Sequence, residues 1–183
     1  STAVGMMNKP LRWGTVAMAL SLTMAAGFRR LLRRPLPSPQ EVLWLDGLEA
    51  DVEIWRDHWG VPHICAATSH DLFFAQGYVH AQDRLWQMET HRRIGAGTLS
   101  EMLGPRALPA DRLMRRLGFR RAAEIEAAIL EGEASLILGA YVQGVNAFLA
   151  RRGNHLPVEF TLLHFRPAPW TTVDCLGWFK FLA

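Results

Sequence analysis

Apolar and polar positions change rhythm along this chain. Over residues 42–55 they alternate loosely, with Val42, Leu43, Leu45, Val52, Ile54 and Trp55 interrupted by Asp46-Gly47. That pattern predicts two short strands joined by a turn. Gly60 and Pro62 punctuate the next turn, and Val61 to Ala66 supplies another extended piece. From there the period lengthens. Leu72, Ala75, Val79 and Trp86 recur near helical spacing, with Tyr78, Leu85, Met88 and Arg92 on adjacent stripes. Thr68-Ser69 is the candidate N-cap, and Asp71 falls in the first turn, where its charge complements the helix dipole. Gly77 is expected to mark a bend between two helices.

Further along, Thr98 and Glu101 stand at capping-box spacing, and Asp111 is expected to open another short helix. Phe119 to Leu130 and Ala134 to Ala150 are the clearest amphipathic helices, separated by Glu131-Gly132-Glu133. Phe160 to Leu163 predicts a helical turn, which Pro167 and Pro169 break. Thr171 or Thr172 then caps a last apolar segment. That segment stops at Ala183 while still apolar, without Gly, Pro or a cap, and is expected to be a helix cut short. The fold class predicted is α+β, predominantly α-helical.

The first 40 residues differ from the rest. Trp13 to Phe28 is an uncharged run of 16 residues between Lys9/Arg12 and Arg29/Arg30. About 20 apolar residues normally span a bilayer, but snorkelling of the flanking arginines extends the reach. The expectation is a membrane anchor over residues 1–34, with a cleaved secretory signal as the alternative, Ala25-Ala26-Gly27 offering the small residues. Three prolines in residues 35–41 read as an extended spacer, and residues 42–183 as the domain. All six basic residues of the first 40 are without an acidic counterpart, which leaves 14 Lys/Arg against 17 Asp/Glu in the body. The net charge of +3 therefore belongs to the leader, and no nucleic-acid partner is expected. The positive-inside rule, taken alone, would keep the body cytoplasmic.

Candidate chemistry is sparse. Cys65 and Cys175 are expected to be separate thiols, since no spacing forces them together. There is no HExxH, no zinc-like Cys/His spacing and no GxSxG elbow. Gly95-Ala96-Gly97 lacks the context of a nucleotide fingerprint. Arg56-Asp57 reads first as an ion pair fixing a turn, and His63 as a hydrogen-bonded structural histidine. Gln82, Asp83, Trp86, Gln87 and Glu89 mix polar and large apolar side chains on one helix. They are expected to form a partly buried network that fastens the helix to the domain or buttresses an active site.

The series RDHWGVPHI (56–64), DLFFAQGYVHAQDRLWQME (71–89), LSEMLG (99–104), DRLMRRLG (111–118), AYVQGVNAFL (140–149) and PAPWTTVD (167–174) resembles the N-terminal region of the penicillin acylase family of N-terminal nucleophile hydrolases. The resemblance implies an A chain that completes an αββα fold with a B chain released from the same precursor by self-cleavage. It implies hydrolysis of an acyl amide, of β-lactam or N-acyl-homoserine-lactone type. The nucleophile would be the first residue of the B chain, beyond Ala183, with its own α-amino group as base. It further implies an exported body, periplasmic or extracellular, and a calcium ion held mostly by the B chain. No catalytic or metal residue is assigned within this chain. Leu182, on the helix after PAPWTTVD, is the one candidate for the acyl pocket. A chain of this kind is expected to be inactive alone. The competing reading is a membrane-tethered helical interaction module without catalysis.

Overall fold

The computed structural model describes residues 18, 21–27, 29, 41–153 and 155–182. Most of the expected anchor and spacer (1–34 and 35–41) lies outside the described residues. Among the described residues no helix is long and apolar enough to cross a membrane.

A two-stranded antiparallel sheet, β1 (Glu53–Arg56) and β2 (Pro62–Cys65), opens the body, with Ile54 opposite Ile64 and Trp55 opposite His63. Its turn is held by Asp57, whose Oδ1 accepts the backbone N–H groups of Trp59 at 2.9 Å and Val61 at 3.0 Å. Gly60 supplies the positive φ of 79° that this turn requires. The earlier of the two strands expected in 42–55 does not form: residues 41–52 carry only a turn at Asp46-Gly47. Leu43 and Leu45 pack instead against the helical core, so burial without a pairing partner explains their alternation.

The helices follow in chain order: α1 (Ser69–Ala96), α2 (Ser100–Leu103), a 3-10 turn (Pro105–Ala107), α3 (Leu108–Leu117), α4 (Phe119–Ile129), α5 (Gly132–Arg152), α6 (Val158–Leu162) and α7 (Thr172–Leu182). Thr68 caps α1 as expected, its side chain accepting the Asp71 N–H. The bend in α1 falls at Arg84, with φ −136° and ψ 20°, not at Gly77. Gly77 instead meets the Tyr141 backbone of α5, where an added Cβ would lie 2.1 Å from the Tyr141 oxygen. Gly144 of α5 reciprocates against Phe74 of α1. These two glycines let α1 and α5 approach closely, and the core lies along their crossing. Tyr78, Ala81, Leu85, Val145 and Phe148 fill it, with Phe160 and Trp170 closing one end. Tyr78 meets Phe148 edge-to-face with ring centroids 5.4 Å apart.

The capping box expected at Thr98 and Glu101 is also replaced. Asp111, in the first turn of α3, accepts the N–H groups of Leu99 and Ser100 at 2.8 Å each. Glu101 turns away to pair with Arg93 at 2.9 Å. A carboxylate from the next helix thus caps α2 more directly than the local side chains do. Asp71 works the same way at the start of α1, taking the Glu49 and Ala50 N–H groups at 2.9 and 3.0 Å. At α7, Asp174 accepts from the Thr171 N–H at 2.8 Å and the Thr171 hydroxyl at 2.7 Å. Three first-turn aspartates therefore each tie down a loop.

Candidate functional site

A half-open cavity of about 410 Å³ lies between α1, α5 and α7. Helix α1 contributes Phe73, Gln76, His80, Met88, His91 and Arg92 to its wall. Ile137, Leu138 and Tyr141 come from α5, and Cys175, Trp178 and Phe179 from α7. One wall is an aromatic stack, His91 flat on Trp178 at 3.8 Å, extended by Phe181 5.1 Å beyond.

Apart from Arg92, whose charge is paired, burial favours the neutral form of the titratable groups that line this cavity. Burial lowers the pKa of His91, and burial of His80 outweighs the opposing charge of Asp83. Burial also pushes the Tyr141 phenol up, so its contact with His80 at 3.1 Å joins two uncharged groups at neutral pH. The Cys175 thiol is pushed up to about 11 by burial, although the Trp170 indole N–H donates to its sulfur at 3.2 Å. A thiol at that value is no nucleophile at neutral pH. The cavity can therefore receive apolar groups, and its cysteine is not an activated nucleophile.

Positive charge beside the cavity is matched by a buried acid. Glu89 is fully buried between Arg92 and Arg93, bonding Arg92 and accepting from Arg93 Nε at 2.7 Å. The Arg92 guanidinium also donates to the Ala168 and Pro169 carbonyls at 3.2 Å and lies 4.7 Å over the Trp170 ring. Asp174 sits 3.5 Å from Arg92 and 2.8 Å from Arg120. This set of charges joins α1 to the loop before α7 and so fixes where α7 points. The spacing of Glu89 with Arg92 and Arg93, three and four residues on, is the sequence signal for it.

The polar helix segment expected to fasten or buttress does fasten. Arg56 pairs with Asp83 at 2.8 Å and donates to Gln82 at 2.9 Å, clasping the hairpin to α1. The Arg56–Asp57 ion pair does not form, because Arg56 is taken by Asp83 while Asp57 holds the turn through Oδ1 and faces His63 with Oδ2. The hydrogen bond from Val61, helped by that from Trp59 and by His63 beside it, outweighs burial and holds the Asp57 carboxyl below the ordinary value. His63 is structural as expected, stacked on Trp55 at 3.9 Å and 3.5 Å from Asp57. Cys65 is exposed and Cys175 buried, both as free thiols. Leu182 closes the described part of α7 and is largely exposed.

Glu49, His70 and Asp71 bring possible metal ligands within 4.8 Å of one another. Calcium requires six to eight oxygen ligands. Here Asp71 is buried with both oxygens taken by backbone N–H groups and one shared with His70 at 3.2 Å. Burial opposes its ionisation, but those bonds hold its pKa below the ordinary value. The cluster is a loop clamp and does not fit a calcium ion.

Residues 51–183 match the family model described as penicillin amidase. The penicillin acylase 2 proenzyme of Pseudomonas sp. (strain SE83) is 47% identical over 150 residues, covering 81% of this chain and 19% of that protein. The acyl-homoserine lactone acylase QuiP of Pseudomonas aeruginosa is 41% identical over 139 residues, 76% of this chain and 16% of its own length. The chain thus spans about a fifth or less of the curated relatives it matches. A solved thermostable penicillin G acylase from Alcaligenes faecalis superposes with a TM-score of 0.64 at 33% identity, covering 71% of this chain and 70% of that one.

Proposed function

The chain belongs to the penicillin amidase family, and from that membership we propose that it is the A-chain portion of an acylase hydrolysing the amide between an acyl group and an amine-bearing core. The observation that carries this reading is the 47% identity, over 81% of the chain, with a penicillin acylase proenzyme. Relatives named for penicillin and for acyl-homoserine lactones put both amide types in the proposed substrate class. In each the C–N bond breaks, water giving its hydroxyl to the acyl carbon and its proton to the leaving amine.

The nucleophile is supplied by the remainder of the precursor, as a second chain. Two observations support this. The cysteine that lines the cavity is a protonated thiol. The relative that is 47% identical is named a proenzyme. Exposed Trp44, Trp55, Trp59, Val61 and Phe179 are the apolar groups such a chain would cover. Leu182 at the tip of α7 lines the acyl end of the substrate, and Arg92, Arg120 and Asp174 hold its helix in place. The assembled enzyme works in the periplasm or outside the cell, delivered or tethered by residues 1–34.

Co-expression of this chain with the rest of its precursor, followed by assay on a chromogenic acyl amide and on an N-acyl-homoserine lactone, tests the reading. The two-chain complex is expected to hydrolyse at least one, the chain alone neither, and Leu182→Ala to raise KM with longer acyl groups. Turnover by the chain alone, or none by the complex, overturns it.

A further inference from the structure

Helix α3 is anchored along one side only. Asp111 is buried on the Leu99 and Ser100 N–H groups, and Arg115 Nε donates to the Gly97 carbonyl at 2.7 Å. At roughly 100° per residue, Arg112, Leu113, Arg116 and Leu117 lie about 100°, 160°, 140° and 120° around the helix from Asp111, away from its buried edge. All four are exposed, the leucines by 53% and 55%. The i,i+4 pairs Arg112/Arg116 and Leu113/Leu117 form a cationic and an apolar stripe side by side. Arg106 and Arg121, also exposed, flank the helix in sequence.

The charge on this element is uncompensated. Arg106, Arg112, Arg116 and Arg121 make no ion pair among the described residues, whereas Arg92, Arg93 and Arg120 all do. The one acid between residues 105 and 121 is Asp111, already committed to backbone N–H groups. Glu124 and Glu126 on α4 are paired to Arg120 and Lys180.

We propose that the outer face of α3 docks on an anionic phospholipid surface, its arginines on the phosphates and Leu113 and Leu117 at the acyl boundary. An exposed helix with a cationic stripe beside a leucine stripe is the chemistry of interfacial binding. A protein partner would have to bring carboxylates in matching register to desolvated arginines, whereas a lipid headgroup layer offers mobile phosphates at any register. The leader adds a second reason. The tether proposed above for the uncharged 16-residue run flanked by basic residues would bring the body close to a bilayer, where a weak second contact becomes effective. This inference draws on the tethering in the proposed function and is independent of its catalytic part.

The test is sedimentation of the full chain with vesicles of phosphatidylcholine alone and of phosphatidylcholine mixed with phosphatidylglycerol. Any contribution from the leader is common to parent and variants. Arg112→Gln/Arg116→Gln is expected to lower partition onto the mixed vesicles about 30-fold, about fivefold per surface arginine, and to leave neutral vesicles unaffected. Leu113→Gln/Leu117→Gln lowers both, and Arg112→Lys/Arg116→Lys retains both. Equal partition of the parent and the glutamine variant onto mixed vesicles overturns the proposal. So does a glutamine variant that binds vesicles normally but no longer assembles with the co-expressed remainder of the precursor, which would make the face a protein interface.

Discussion

Alanine at Gly144 should separate the two longest helices. A Cβ there would lie 1.8 Å from the Phe74 carbonyl oxygen and 2.9 Å from the Tyr78 nitrogen. Both neighbours are backbone, so no rotamer change relieves the clash. Restoring ordinary contact requires α1 and α5 to part by roughly 1.5 Å, and a gap of even 1 Å forfeits about half of each dispersion contact along the crossing. Overpacking usually costs about 1–3 kcal/mol, and a backbone-on-backbone clash belongs at or above the top of that range. Replacing a helical glycine returns about 1 kcal/mol of propensity, leaving a net loss of about 2–4 kcal/mol. For a chain of this size that lowers Tm by about 5–15 °C. Gly139→Ala is the internal control. It lies in the same helix with nothing within 4 Å of its added Cβ, so the same propensity gain appears alone and stability rises by up to about 1 kcal/mol. Urea unfolding followed by tryptophan fluorescence reads both. A Gly144→Ala variant as stable as Gly139→Ala would show that the glycine crossing does not set the helix separation.

Glu89→Gln removes the buried charge that Arg92 and Arg93 share and leaves them only Asp174 and Glu101, so a loss toward the lower end of about 3–5 kcal/mol is expected, read by the same urea titration. Asp111→Asn removes the carboxylate that caps α2 and should cost about 1–3 kcal/mol. Burial opposes ionisation of Asp71 and Asp111, but their backbone and side-chain hydrogen-bond donors, with the charge of Arg115 at Asp111, hold both carboxyls below the ordinary value. Their contribution is therefore present above the unfolded-state value of about 3.9 and is lost as pH falls through the lower native values. Thermal midpoints should hold steady toward pH 5 and fall below about pH 4, less steeply in Asp111→Asn; an equally steep fall in that variant would remove Asp111 from the account. With its thiol at about 11 and buried, Cys175 should resist iodoacetamide at pH 8 while exposed Cys65 reacts. Mass spectrometry should find one adduct in the native chain and two after denaturation, and rapid native labelling of Cys175 would contradict the packing around Trp170.

What sequence made legible here was periodic. The 3.6-residue recurrence of Leu72, Ala75, Val79 and Trp86 located α1, and the Phe119 and Ala134 segments located α4 and α5 to within a few residues. Thr68 was readable as a cap because its partner N–H is three residues away. The failures share one cause, which is that the deciding partner is distant in sequence. Gly77 looks like a helix breaker until Tyr141 is seen against it. Thr98 and Glu101 have capping-box spacing, but Asp111 arrives from the next helix with a charged acceptor, and a charge-assisted bond outcompetes a hydroxyl. Leu43 and Leu45 alternate like a strand because they insert into a helical core. Of the site, the aromatic and apolar composition of α1 was visible. The cavity itself, assembled from three helices spread over residues 73–179, was not.

The distribution of charge separates holding from reacting in this chain. Asp71, Asp111, Asp174 and Glu89 are all buried, and each oxygen of these carboxylates already accepts from a backbone N–H group or an arginine. A general base must keep a lone pair within reach of the proton it removes, and a fully satisfied carboxylate cannot do so without breaking the clamp it forms. The same satisfaction makes each clamp rigid, since an opened bond would leave a buried charge unpaired. Arg92 and Arg120 converge on Asp174 at the start of α7 and leave the far end of that helix, with Phe179 and Leu182, exposed. Rigidity at the base and apolar surface at the tip suit an element that presents a wall to something held elsewhere.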